Sequence, residues 1–182
     1  MRCAWAEQSD VERVYHDAEW GIPVHNDRLL FEALALRGVQ AGLAWRIVLT
    51  KREAFRRAFH GFDIARVAIM SDTELAAVLA DRGVIRNRLK LEAIRSNARI
   101  ALRIVEDEGS FSAFLWSFAD GAPKVNTRGD RDPMPVSDEA AGRMSATLRK
   151  RGFRFAGSAI CYATMQSVGM VDDHAVECFR RR

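Results

Sequence analysis

Apolar residues recur along this 182-residue chain at spacings of three and four almost throughout, the period of an α-helix. After Asp27, read as an N-cap, the run LLFEALAL sets Leu30, Phe31 and Leu34 on one face. A second helix is predicted from about Ala44 through Ala58, with Ile47, Val48, Phe55 and Phe59 inward. Ser71-Asp-Thr-Glu74 has the form of a capping box ahead of LAAVLA, and that short helix is expected to stop at Gly83. A long helix from Asn87 towards Glu106 follows, carrying Leu91, Ile94, Ala98, Ala101 and Val105, with Gly109 as its terminator. SFSAFLWSF reads as a further short buried helix. Ser137 is expected to cap one running through Arg149, and Ser158 to Val168 forms a last buried one. No period-2 run is long enough for a convincing strand. The fold class is all-α, a single domain over residues 1–182. Gly121 to Ser137, rich in Pro, Gly and charge, reads as a surface loop between two lobes.

Composition adds limits rather than identity. With 48% hydrophobic and 29% charged residues the chain can bury a core, which excludes a disordered class. A net charge of +4 permits nucleic-acid binding without establishing it. Three cysteines, an odd number, argue against a disulfide framework and for a reducing, cytoplasmic setting. The polar N-terminus MRCAWAEQSD is not a signal peptide, and no run approaches the ~20 apolar residues of a membrane span. There is no Gly-rich nucleotide loop, no Gly-x-Ser-x-Gly and no HExxH.

Four groups could carry chemistry. Cys3 and His16 near one end, and His174 and Cys178 near the other, supply two thiolates and two imidazoles, a standard tetrahedral zinc set. His-x3-Cys would put both side chains on one face of a helix. The spacing alone leaves open two unrelated pairs with no metal. If zinc binds, all four positions are filled, the site is structural, and it clips the chain ends together. In DRGVIRNRLK, two helices meet at a tight turn containing Gly83, followed by Arg86, Arg88 and Lys90. Such a hairpin aims backbone N–H groups at a phosphate, though an ordinary basic helix connection has the same look. Trp5, Tyr15, Trp20 and Trp45 can sandwich an extruded base or simply fill a core. Leu43, on the glycine-marked corner QAGLAW, either wedges into a base stack or begins the core face of the next helix. Cys161 reads as a buried small hydrophobe.

Four segments fit one family in order: YHDAEWGIP (Tyr15–Pro23), LRGVQAGLAWRIVLTKRE (Leu36–Glu53), RGVIRNRLKLEAIRSNA (Arg82–Ala98) and LRKRGFRFAGSAICYATMQSVGMVDDH (Leu148–His174). On these the sequence resembles the bacterial 3-methyladenine DNA glycosylase I family over nearly its whole length. Only Gly121–Val136 and Phe179–Arg182 are without clear resemblance. The resemblance implies a two-lobed helix–hairpin–helix glycosylase, with one lobe built from both termini and the hairpin lobe over about residues 30–120. It implies a structural zinc held by Cys3, His16, His174 and Cys178. It places a base pocket at Trp5, Tyr15, Trp20 and Trp45, a DNA wedge at Gln40, Gly42 and Leu43, and a phosphate grip over Arg82–Lys90. Its implied activity is monofunctional. An alkylated purine, by default 3-methyladenine, is flipped from double-stranded DNA and its glycosidic bond hydrolysed, leaving an abasic site. A monomer is expected.

Two positions depart from the family pattern. The family motif is close to LEGxQAGLSW, and its pocket glutamate accepts hydrogen bonds from adenine; here that position is Arg37, which offers only donors. A family tyrosine near the pocket is replaced by Glu12. Two readings of Glu12 follow, a pair with Arg37 across the pocket or a solvated surface carboxylate. Arg37 also opens two alternatives to 3-methyladenine excision. One is altered specificity for an alkylated guanine or bulkier adduct, and the other is lesion binding without catalysis.

Overall fold

The computed structural model describes Met1–Arg182. A 3-10 turn over Ala4–Gln8 leads into nine α-helices: α1 Asp10–Ala18, α2 Asp27–Gln40, α3 Trp45–Ala58, α4 Ile64–Ala68, α5 Asp72–Ala80, α6 Arg88–Glu108, α7 Phe111–Trp116, α8 Glu139–Lys150 and α9 Ser158–Ser167. Two dipeptides, Lys124–Val125 (β1) and Val171–Asp172 (β2), pair in parallel. The chain is mostly helical, as the periodicity predicts, and this small ladder is an addition that no alternating pattern could signal.

Helix α2 is the axis of the molecule. Leu30, Phe31, Leu34, Ala35, Leu36 and Val39 are all buried, because α3, α6, α7 and α9 pack around it. Fully burying one such side chain stabilises by roughly 1.5–3 kcal/mol. One continuous apolar core runs from Leu30 through α6 and α7 to Val171 and so joins elements of both expected lobes. A smaller cluster of Cys3, Tyr15, Trp20, Leu49, Ala175 and Cys178 gathers the two chain ends. No helix is long and apolar enough to cross a membrane.

The helix boundaries largely follow the local chemistry. Ser71 and Glu74 make the full capping box of α5, and Gly109 ends α6 in the left-handed region at φ 81°. Several expectations need correction. Asn26, not Asp27, caps α2. Asp27 reaches across the fold, accepting hydrogen bonds from Ser110 Oγ and the N–H groups of Phe111 and Ser112 at the start of α7. Asp138, not Ser137, caps α8. Helix α5 stops at Ala80 rather than Gly83. Ile47 is 40% exposed rather than inward. The Gly121–Ser137 stretch is not wholly a surface loop, since Arg128 is buried with its Nε on the Asp173 carbonyl.

Two outcomes are expected. Asp27→Ala leaves the Phe111 and Ser112 N–H groups without their acceptor, although Ser110 still caps Ala113, and lowers stability by about 1 kcal/mol, read as a lower urea midpoint at unchanged slope. The Cys161 thiol, fully buried and pushed up to about 12 by that burial, stays unreactive towards thiol reagents at about pH 8 until the chain unfolds.

Candidate active site

The corner Gln40–Ala44 follows directly on the end of α2. Gly42 turns the chain at φ +76°, a conformation suited to glycine. The carbonyls left unpaired at the end of α2 need donors. Lys90 supplies them, its Nζ donating to the Val39 and Ala41 oxygens at 2.8 and 2.6 Å. Lys90, expected to grip a phosphate, is therefore turned inward and only 8% exposed. It fastens the hairpin to the corner.

Arg37 lies in the last turn of α2 and is buried, 6% exposed. Its Nε donates to Ser167 Oγ at 2.8 Å, Nη1 to Gln40 Oε1 at 2.9 Å and Nη2 to the Tyr15 hydroxyl at 3.2 Å. The guanidinium carbon sits 3.6 Å from the Trp45 ring centroid, a cation–π contact. No carboxylate pairs with it. Burial depresses its pKa, with Tyr15 opposing. A cation about 4 Å away would be repelled by about 4 kcal/mol at an effective dielectric of about 20.

Both sequence readings of Glu12 are wrong. It is neither paired with Arg37 nor solvated. It is buried in the first turn of α1, where its Oε2 accepts from Ser9 Oγ at 2.7 Å and its N–H donates back to Ser9 Oγ. The charge at Arg37 is thus left uncompensated. The remaining aromatics close around it. Tyr15 meets Trp45 edge-on at 5.5 Å between centroids, and Trp5 meets Trp20 at 5.0 Å. The indole N–H groups of Trp5 and Trp45 are buried without partners. Trp20 faces the histidines, 4.5 Å from the His174 ring, and Trp5 meets His16 at 5.5 Å, so the aromatics pack directly on the chain ends.

At those ends Cys3, His16 and Cys178 bring their ligand atoms within 4.8 Å of one another. His174 stands beside them, its ring 5.1 Å from that of His16. The segment carrying His174 and Cys178 is an irregular turn after β2, not the helix that the spacing suggested. The donor set suits a soft divalent metal. Backbone N–H groups of Ala175 and Arg180 donate to the Cys3 and Cys178 sulfurs. Asp17 and Asp172 hold Nδ1 of His16 and His174, the outer-shell arrangement of metal-binding imidazoles. The Nε2 of His174 is buried with no partner. Burial keeps His174 neutral by lowering its pKa, and pushes the Cys3 thiol up to about 11. Gly21 leaves room for this group, since a Cβ there would meet His174 Cε1 at 2.6 Å.

The hairpin between α5 and α6 presents Arg86 and Arg88 to solvent. Gly83 N–H is taken by Asp81 Oδ1, so the turn is held from within. A cavity of about 220 Å³ lies against the other side of the corner, lined in part by Tyr15, Leu36, Trp45 and Ser167. It also receives two ion pairs that the sequence reading missed, Glu19–Arg52 and Glu32–Arg56, at 2.6 and 2.7 Å. Glu32 is buried, with Oε2 unpartnered. A Glu within an apolar helical face was the available signal. Ser167 carried no signal at all, since it lies 130 positions from Arg37.

The helical scaffold and this corner are those of a DNA N-glycosylase. The chain superposes on a crystal structure of 3-methyladenine DNA glycosylase I with TM-score 0.96 at 43% identity, each chain covered 100%. It superposes on the Staphylococcus aureus enzyme, solved for 3-methyladenine recognition, with TM-score 0.94 at 34% identity, covering 100% of this chain and 96% of that one. It is 42% identical to DNA-3-methyladenine glycosylase 1 of Escherichia coli (strain K12), over 97% of this chain and 95% of that protein. A Haemophilus influenzae DNA-3-methyladenine glycosylase is 44% identical over 97% and 96%. Residues 5–181 match the methyladenine glycosylase family, and the chain belongs to it.

Arg37→Met, which removes a buried and uncompensated charge, is expected to raise stability by on the order of 1 kcal/mol. Arg56→Met strands the buried Glu32 carboxylate and is expected to lower it by about 1–3 kcal/mol. Thermal unfolding of the two variants beside the parent chain checks both signs.

Proposed function

We propose that the protein is a base-excision repair glycosylase that flips a damaged purine out of duplex DNA and hydrolyses its N-glycosidic bond, leaving an abasic site with no lyase step. The observation that carries this reading is the set of aromatic side chains closed around a helix corner, in a chain of the methyladenine glycosylase family. The relatives are named for 3-methyladenine, which makes it the default substrate. Gln40, Gly42 and Leu43 open the duplex. Arg86, Arg88 and the hairpin at Gly83 grip the backbone, while Lys90 sets the frame they stand on. Trp5, Trp20 and Glu12 shape the pocket, Tyr15 and Trp45 hold the base, and Arg37 meets its edge. The Tyr15 oxygen accepts from Arg37, so its own O–H is free to donate towards the base. Water completes the displacement at the sugar carbon.

Cys3, His16, His174 and Cys178 hold one structural zinc that ties the two chain ends beneath the pocket. The protein works as a monomer in the cytoplasm, where its DNA lies.

A second reading is favoured by Arg37. Its buried N–H groups suit the acceptors O6 and N7 of a guanine better than the adenine amine, which points to an alkylated guanine or a bulkier adduct.

Chromatography of bases released from methylated DNA tests the activity. Free 3-methyladenine supports the default and alkylated guanine the second reading. Tight binding of an abasic-site analogue with no base released points to a lesion-binding protein. Metal analysis should give about one zinc per chain, lost in Cys178→Ser.

A further inference from the structure

The groups around the Arg37 corner share one property: what they leave unused donates. A guanidinium carries five N–H bonds, and three protein acceptors engage those of Arg37. One hydrogen on each of Nη1 and Nη2 remains, both in the guanidinium plane. The indole N–H of Trp45, the ring beneath the guanidinium, is buried and unpartnered, as is that of Trp5 on the far side of Tyr15. No carboxylate neutralises the site. Glu12 is held by Ser9, Glu19 is paired with Arg52 and Glu32 with Arg56. The tether to Ser167, Gln40 and Tyr15, with the stack on Trp45, keeps the positive charge from swinging out to solvent.

Such a site is built for a base that gains negative charge as it leaves. A purine alkylated at N3 is already cationic and departs neutral, so a fixed cation beside it opposes binding and contributes nothing to departure. An unalkylated purine departs as an anion, which is the difficulty of its hydrolysis. A positive charge and preorganised N–H donors at the accepting edge stabilise that anion.

We propose that Arg37 is a catalytic residue for the excision of neutral oxopurines, bases with a carbonyl at C6 such as deamination of adenine or guanine produces. The proposal rests on the glycosylase reading above. The C1′–N9 bond breaks with its electron pair passing to the purine, and the charge spreads to N7 and O6, where Arg37 donates. The oxygen of a water molecule bonds to C1′ and its proton goes to solvent. The released base takes a proton from solvent in turn. Arg37 keeps its protons throughout.

The test uses the full chain with duplex oligonucleotides bearing a single hypoxanthine or xanthine, beside methylated DNA, under single-turnover conditions. Release of the oxopurine by the parent chain is expected, with a loss of about 100-fold in Arg37→Met. Arg37→Lys, which retains charge without the planar fork, should fall between. Folding of each variant is checked by its thermal transition. Arg37→Glu is expected to lose oxopurine release and gain 3-methyladenine release. If the parent frees 3-methyladenine and no oxopurine, the proposal is overturned and the glycosylase reading stands. If oxopurine release is the same in a folded Arg37→Met, the role of Arg37 is overturned. If no base is released from any duplex, both readings fall.

Discussion

Everything at the pocket depends on the two ends of the chain meeting. Cys3 and His16 lie within 4.8 Å of Cys178, and His174 is locked beside them by Asp172. This closure places the 3-10 turn that carries Trp5, the helix that carries Tyr15 and the turn after it that carries Trp20. Closing a loop of this length is entropically unfavourable. The apolar cluster around Cys3 and Cys178 is small, and the buried Cys3, His16 and Cys178 side chains converge at its centre.

From that anchor the chemistry builds outward in layers. Trp5 and Trp20 pack the aromatics directly against the imidazoles. Tyr15 bridges to Arg37, and Arg37 reaches Ser167 on α9. The guanidinium therefore knots three elements, α1, α2 and α9, at one point. Lys90 does the same for the hairpin, bonding the carbonyls at the end of α2. Two buried cations with neutral partners frame the corner, and neither is offset by a carboxylate. Buried charges are retained against their desolvation only where they have a use or a full set of hydrogen bonds. Lys90 donates two of its three N–H groups to carbonyls at the end of α2 and so satisfies a helix terminus. Arg37 donates to side chains only, with one hydrogen on each of Nη1 and Nη2 left over.

A buried guanidinium on this scaffold also bears on which base the corner could accept. The backbone superposes closely on relatives named for 3-methyladenine, and the side chain at position 37 brings a buried positive charge with no carboxylate paired to it. The charge beside the base decides which leaving group is stabilised.

Periodicity in the sequence was enough to establish the all-α class, the helices between Asp27 and Ser167 other than the short α4, and the capping box at Ser71, because these depend on residues three or four apart. The motif LRGVQAGLAW marked the corner, and the Cys and His pairs marked the group at the chain ends. The tertiary structure alone decided the rest. Asp27 accepts from the first turn of α7 rather than capping its own helix, Lys90 turns inward, Glu12 stays with Ser9, and Arg37 finds Ser167. Each of these is a hydrogen bond whose geometry depends on which elements pack together, or on a local rival for the same partner. A sequence states which groups can donate and accept; only the packed chain decides which of them meet and which are left over for a ligand.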